Sequence, residues 1–388
     1  MTVREQVALA AYTTLGLGGP AARFLEAASD DQVVAAVRAA DERGEPVLVL
    51  GGGSNLVVAD AGFPGTVVRV ATSGIVTSPD GDSVVISVAA GEDWDAVVDW
   101  CIGSGLSGLE CLSGIPGLAG ATPIQNVSAY GQDVAERIVA VRAYDRRRDA
   151  VIELSNADCG FGYRTSSFKR SATTVPVASA ATGRFVVLEV TFRLARDPLS
   201  APIRYAELAR SLGIAEGGRV PLAAARAAVL RLRRAKGMVL DPADPDTRSA
   251  GSFFTNPVLD SDQFAALAKT VAAGWGPEVT VPRFAAEPGR VKVPAAWLIE
   301  RAGFGKGYPG SGSARPDGRP SRGIAGQGQP GQGQPGPRIS AKHTLALVNP
   351  GGASTAALLA LAREIQDGVR ETFGVELVSE PVLVGTTL

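Results

Sequence analysis

Apolar positions recur at two spacings along this chain, and the switching between them lays out its elements. Val33, Val34, Val37 and Ala40 share one face of a helix over Asp30–Arg43, with Gly44 as its stop. The unbroken apolar run Val47–Leu50 reads as a buried strand, and Leu56–Ala59 and Thr66–Val70 read as two more. This βαββ-like opening ends near Thr72. Ser83–Ala90 gives a further strand, and Trp94, Val97, Val98, Cys101 and Ile102 mark an amphipathic helix closed by Gly103 and Gly105. Ile138–Tyr144 and Ala150–Leu154 read as a hairpin across the charged turn Asp145–Asp149, and Phe185–Leu194 as another strand.

The second half is richer in helix. Pro221–Lys236 predicts a helix with proline in its first turn and Gly237 behind it. Val293-Pro294 leads into a short helix through Trp297, Leu298 and Ile299, and Lys342–Val348 reads as a strand. The clearest helix is capped by Ser354, carries Leu358, Leu361, Ile365, Val369 and Phe373 at helical intervals, and ends at Gly374. A last strand, Val375–Val384, carries Glu380. The fold class is α+β with a mixed or antiparallel sheet, not a series of βαβ units. Between Gly310 and Pro337 glycine, proline, glutamine, serine and arginine dominate, with GQGQP twice in succession. Such a segment buries too little apolar area to offset its ordering entropy, so a mobile surface loop is expected there.

Composition narrows the function. At 388 residues the chain is long enough for two or three domains with cores of their own. Its net charge of −1 supplies no global basic field for nucleic acid, so any phosphate must be bound by local Arg, Lys and backbone amides. Cys101, Cys111 and Cys159 are widely spaced and form no CxxC, and there is one histidine. That pattern suits a reducing cytosol and argues against a metal site. The opening MTVREQVALAAYTT lacks the apolar core of a signal peptide, and no stretch has the roughly 18 apolar residues of a spanning helix. A cytoplasmic protein is expected.

Candidate chemistry concentrates in glycine-rich segments. Gly51-Gly52-Gly53 follows directly on a buried strand, and consecutive glycines let backbone N–H groups converge on a phosphate. A β-rich run comes next, where a doubly wound dinucleotide site would have a helix, and no Gly-Lys-Ser/Thr marks a nucleoside triphosphate loop. Alone, the triplet reads first as a tight strand connection. It is joined by Leu15–Phe24 and by Gly114–Asp133, and three such segments suggest repeated backbone approach to one large phosphate-bearing ligand. Phe161–Lys169 (FGYRTSSFK), Ala250–Pro257 (AGSFFTNP) and Leu377–Pro381 (LVSEP) follow. In this order the motifs resemble the UDP-N-acetylenolpyruvoylglucosamine reductase family, from about Thr13 to about Gly385, interrupted by the low-complexity insert. The segment around Tyr205 resembles the tyrosine loop of its longer subclass.

The resemblance implies an FAD enzyme of peptidoglycan precursor synthesis. It would combine a two-part FAD-binding region of the vanillyl-alcohol-oxidase/PCMH type, 1–72 and 73–208, with an α+β substrate-binding domain, 209–374, holding the insert 310–337. Residues 375–388 would return as a strand to the FAD region. NADPH would supply hydride to non-covalent FAD, and hydride would pass on to the vinyl carbon of an enolpyruvyl ether of UDP-N-acetylglucosamine, giving UDP-N-acetylmuramate. FAD-binding positions would be Gly51, Gly52, Gly53, Ser54, Asn55, Gly114, Ile115, Pro116, Gly117, Gly120, Ala121, Gln125, Asn126, Tyr130 and Gly131. A conjugate reduction needs a cation or polarised acid at the substrate carboxylate and a proton donor beside the adjacent carbon. Ser252 matches the donor, and Arg164 and Glu380 the carboxylate-polarising pair. Tyr205, Lys236, Asn256 and His343 would face the UDP portion. Ser252, Arg164, Glu380, Lys236 and His343 also have ordinary readings: a turn serine, a surface arginine, an edge glutamate, a lysine satisfying a helix end and a strand-end structural histidine. The implied partner is a small molecule, with no metal, nucleic acid or membrane, and a monomer is expected. Another FAD oxidoreductase or oxidase on the same fold, or a flavin-binding protein without catalysis, are the alternatives.

Overall fold

The computed structural model describes residues 1–172, 182–310 and 336–388, so most of the low-complexity insert, 311–335, lies outside the described residues. The chain forms two compact units: Met1–Tyr12, Gly19–Ser54 and Ala61–Leu240 in the first, and Thr13–Gly18, Asn55–Asp60 and Asp241–Leu388 in the second.

In the first unit, Val47–Leu50 lies at the edge of a four-stranded sheet in the order Arg4–Ala8, Pro20–Ala27, Phe63–Val70, Val47–Leu50. Its outermost pair, Arg4–Ala8 with Pro20–Ala27, is antiparallel and the rest are parallel. The helix Asp30–Glu42, capped by the Ser29 hydroxyl, buries Val33, Ala36, Val37 and Ala40. An antiparallel sheet runs Ala150–Ser155, Ile138–Asp145, Phe185–Arg196, Ser83–Ala89, Ile75–Asp80, with Leu106–Ser107 also pairing to the central strand. The expected hairpin across Asp145–Asp149 is present. Residues from both sheets share one core, in which fully buried Trp94, on the helix Trp94–Gly103, packs 5.8 Å from Phe192. The helices Ala206–Leu212 and Leu222–Ala235 pack Leu208, Ala209, Ala228 and Val229 around Cys111 and Ile203. Contacts of this kind group 209–240 with the first unit, whereas the sequence reading opens the substrate part at Ala209.

The second unit has three small sheets. Ser249–Ser252, Ala346–Val348 and Arg338–Ile339 form one, Val258–Asp260, Arg290–Lys292 and Phe284–Ala285 another. In the third, Leu56–Val58 pairs in parallel with Val382–Val384. The helix Thr355–Phe373 buries Leu358, Leu361, Ile365, Val369 and Phe373, as its spacing requires. The core gathers these with Leu15, Leu17, Phe253 and Phe254.

Two strand expectations shorten. The strand expected over Lys342–Val348 is confined to Ala346–Val348, because the Ser340 hydroxyl accepts from the Lys342 and His343 amides and turns the chain. The one expected over Val375–Val384 is confined to Val382–Val384, and Glu380 precedes it. The glycine triplet connects strands that belong to different sheets.

Candidate functional site

Gly51–Ser54 and Gly114–Gly117 lie backbone against backbone in the first unit. A Cβ added to Gly52 would stand 2.7 Å from Gly117 Cα, and the Ser54 hydroxyl donates to the Pro116 carbonyl at 3.0 Å. Gly53, Gly114 and Gly117 take φ of +61°, +72° and +118°, open to glycine at little cost. The Trp94 amide donates to the Gly117 carbonyl at 3.0 Å, fixing the loop to the start of its helix. Gly120 packs so closely on the second sheet that a Cβ would fall 2.5 Å from Ala90 Cβ, and Ala121 beside it is exposed. Ile115 and Pro116 are half-buried, and Gln125 and Asn126 are buried. The Asn126 side chain donates to the Gly162 carbonyl and accepts from the Ala135 amide, both at 3.2 Å. Tyr130 and Gly131 follow with φ of +50° and +79°. Of the expected flavin positions, Asn55 alone falls in the second unit, where its carbonyl accepts from Val382 at 2.9 Å.

This cradle fits a flat, phosphate-bearing cofactor. Gly52 and Gly120 leave no room for a side chain, and a half-buried cation lies behind the loops: the buried Arg233 Nε is 3.5 Å from where a Gly114 Cβ would be and has no hydrogen-bond partner. Burial pulls the Arg233 guanidinium down to about 10 against the opposing influence of Tyr130 and Asp95, so it stays charged at neutral pH.

Sequence reading missed what braces this loop. The Gly114 amide donates to Asp95 Oδ1 at 2.6 Å, and Arg226 clamps the same carboxylate at 2.6 and 3.0 Å while its Nε meets Asp99 at 2.9 Å. Burial acts to raise the Asp95 pKa, but the hydrogen bonds from Arg226 and Gly114 outweigh it and hold the carboxyl below its ordinary range. A carboxylate held low contributes stability above its unfolded-state pKa of about 3.9 and loses it as pH falls through the folded value. Asp95→Asn should therefore lower stability in urea by about 1–3 kcal/mol at pH 7. Its gap from the wild type should close as pH drops below about 4. A gap of the same size at acid pH would assign the loss to packing.

Two further site positions converge on Tyr130, and a third, Arg164, lies in the same unit. The Tyr205 ring meets Tyr130 edge-on at 5.6 Å, and Lys236 Nζ stands 5.8 Å from the Tyr130 centroid. Tyr205 is the residue before Ala206–Leu212, and Lys236 is the C-cap of Leu222–Ala235. Glu207, another residue the sequence reading missed, pairs with Lys236 at 2.6 Å. Arg164 takes φ of +52°, donates to the Ser128 hydroxyl at 2.9 Å, and lies 5.8 Å from the Tyr163 centroid. Left-handed backbone is costly for side chains such as these and concentrates at functional sites. Among the described residues five non-glycines adopt it, and Asn126, Tyr130 and Arg164 are three of them.

In the second unit the structure brings the segments of Ser252 and Glu380 together. Ser252 ends the strand Ser249–Ser252, after Gly251 at φ +73°. The Phe253 carbonyl accepts from the Glu380 amide at 2.9 Å, Phe254 bridges Ser379, and the Thr255 amide donates to Val378 at 3.0 Å. Two distant segments are thus laid antiparallel, anchored by Phe253 and Phe254, which are 1% exposed and meet edge-on at 5.2 Å. Asn256 Oδ1 accepts from the Ala295 amide at 2.9 Å and so fixes the start of the helix Ala295–Arg301. His343 sits in the turn closed by Ser340, where its carbonyl accepts from Ala346 at 3.1 Å. Among the described residues no group of three or more side chains could hold a metal, and no helix is long and apolar enough to cross a membrane.

Two family models match the chain. One, an FAD binding domain, covers residues 21–155 and thereby both glycine-rich loops of the cradle, which makes this a flavin-binding protein. The other, the C-terminal domain of UDP-N-acetylenolpyruvoylglucosamine reductase, covers 321–384. The UDP-N-acetylenolpyruvoylglucosamine reductase of Thermobifida fusca is 57% identical over 385 residues, spanning 99% of this chain and 98% of its own. That of Streptomyces coelicolor is 54% identical over 381 residues, spanning 98% and 90%. The crystal structure of UDP-N-acetylenolpyruvylglucosamine reductase from Thermus caldophilus shares the fold, with a TM-score of 0.60 at 24% identity over 99% of this chain and 100% of that one. The chain belongs to the UDP-N-acetylenolpyruvoylglucosamine reductase family, and it is an FAD-containing oxidoreductase with NADPH as hydride donor.

Proposed function

We propose that this protein reduces the enolpyruvyl ether of UDP-N-acetylglucosamine to UDP-N-acetylmuramate in peptidoglycan precursor synthesis, as a cytoplasmic monomer whose partner is a small molecule and neither nucleic acid nor membrane. The observation that carries the reading is the antiparallel bridge that sets Glu380 beside the Ser252 segment, within a chain related over its whole length to reductases named for this substrate.

Gly51–Ser54, Asn55, Gly114–Gly117, Gly120, Ala121, Gln125, Asn126, Tyr130 and Gly131 would hold FAD, which would supply hydride drawn from NADPH. When hydride adds to the methylene carbon of the enolpyruvyl group, the electron pair of the double bond moves toward the carboxylate. Arg164 offers a planar fork to that carboxylate, and Glu380, as the acid, polarises it. Ser252 then gives its hydroxyl proton to the adjacent carbon and regains one from water. A serine hydroxyl is a weak acid, but it suffices for a strongly basic enolate when held in line. Tyr205, Lys236, Asn256 and His343 would take the UDP portion.

Burial pushes the Cys111 thiol up to about 12, with the Glu110 charge adding to the effect, so it supplies no thiolate to tether a flavin. Acid denaturation should release all FAD from the chain, as followed by absorbance after filtration, and yellow protein left on the filter would overturn non-covalent binding. The purified protein should oxidise NADPH on addition of the enolpyruvyl substrate and yield a product heavier by two hydrogens. Oxygen consumption with NADPH alone at the same rate would favour an oxidase instead.

A further inference from the structure

We propose that Glu207 is an internal counter-ion that occupies Lys236 until the substrate's diphosphate displaces it, and so sets how tightly a nucleoside diphosphate binds. This rests on the function proposed above, in which Lys236 faces the UDP portion.

Lys236 Nζ and Glu207 Oε2 are 2.6 Å apart, with both side chains 33% exposed. An ion pair this open to water is weak and exchangeable. A diphosphate brings more charge and more acceptor oxygens than one carboxylate, and it would meet a cationic helix end, since Arg233 and Arg234 lie in the last turn before Lys236. The ammonium is already aimed at the aromatic pair of this site, 5.8 Å from the Tyr130 centroid, with Tyr205 against the same ring. Glu207 follows Tyr205 by two residues, in the first turn of Ala206–Leu212, so the competing charge sits next to the residue expected to contact the ligand. A diphosphate must therefore break the pair and approach a carboxylate, and both effects weaken binding. A purely structural staple between the two helices would act the other way, because removing it would loosen the site.

Titration of uridine diphosphate into FAD-loaded protein, followed by calorimetry, separates these roles. Glu207→Gln should bind about two- to fivefold more tightly than wild type. The gain should shrink as salt is raised. Glu207→Asp, which keeps the charge but draws it back, should show part of the gain and carries the test if the glutamine variant does not fold. In a Lys236→Met background, Glu207→Gln should change nothing. Unchanged or weaker binding by Glu207→Gln, or by Glu207→Asp in its place, overturns the proposal. If wild type turns over the enolpyruvyl substrate while the Glu207 variants show no gain, only the counter-ion role fails. If wild type neither turns it over nor binds uridine diphosphate, the functional reading fails and the role of Glu207 with it.

Discussion

Replacing Ser252 with alanine should leave the loss of flavin absorbance on mixing with NADPH near its wild-type rate, while the return of that absorbance on adding enolpyruvyl substrate slows by about 10²–10⁴-fold. The two phases separate because reducing the flavin takes no proton from Ser252, whereas the enolate formed in the second phase does. The substitution removes a hydroxyl at the end of a strand whose backbone pairing with Ala346 and whose neighbouring bond from Glu380 to Phe253 do not depend on it. Cysteine at the same position should recover part of the rate, since a thiol also carries a proton. Stopped-flow absorbance reads both phases in one experiment. Equal slowing of the two would make Ser252 a structural residue and send the proton by another route.

Gly52→Ala should cost the protein its flavin. The added Cβ would lie 2.7 Å from Gly117 Cα, and a backbone atom cannot rotate away as a side chain end does. The two loops must part, at about 1–3 kcal/mol for overpacking. That corresponds to an FAD dissociation constant raised about 5- to 150-fold. Gly51 is the matched control: its nearest neighbours are Leu118 side-chain atoms at 3.6–3.8 Å, ordinary contact distance. Gly51→Ala should bind FAD within about threefold of wild type. Fluorescence titration of FAD into the apoproteins measures both, and equal losses would show that the cradle does not depend on close backbone approach.

What was legible in the sequence follows from how local its causes are. The helices Asp30–Glu42, Trp94–Gly103 and Thr355–Phe373 carry their caps at Ser29, Asp93 and Ser354 and their apolar stripes within one short window. The strands Arg4–Ala8 and Ile75–Asp80 escaped notice because they are largely exposed and offer no buried alternation to read. The helix Ser261–Trp275 buries only Leu267 and Val271, and its signal was the capping box of Asp260 and Gln263. At the site, the glycine segments and Ser252 were visible as motifs, whereas the pairs that brace them were not. Asp95 meets Arg226 across 131 positions and Glu207 meets Lys236 across 29, separations that no local pattern encodes. Glu380 was assigned to a strand for the same reason: its partner at Phe253 comes from elsewhere in the chain.

The pairing of Leu56–Val58 with Val382–Val384 has a consequence for biogenesis. The second unit draws on Asn55–Asp60, whose strand Leu56–Val58 pairs with Val382–Val384, residues synthesised far later. Thr355 reaches back 297 positions to the Val58 carbonyl, and the closing strand lies later still. Contacts of such separation form slowly, because the loop entropy is lost before they contribute. Until then a short apolar edge stands unpaired, a surface open to mispairing and to chaperones. Synthesis of Val382–Val384, rather than folding of the earlier sheets, is then the event that completes this sheet of the unit bearing Ser252.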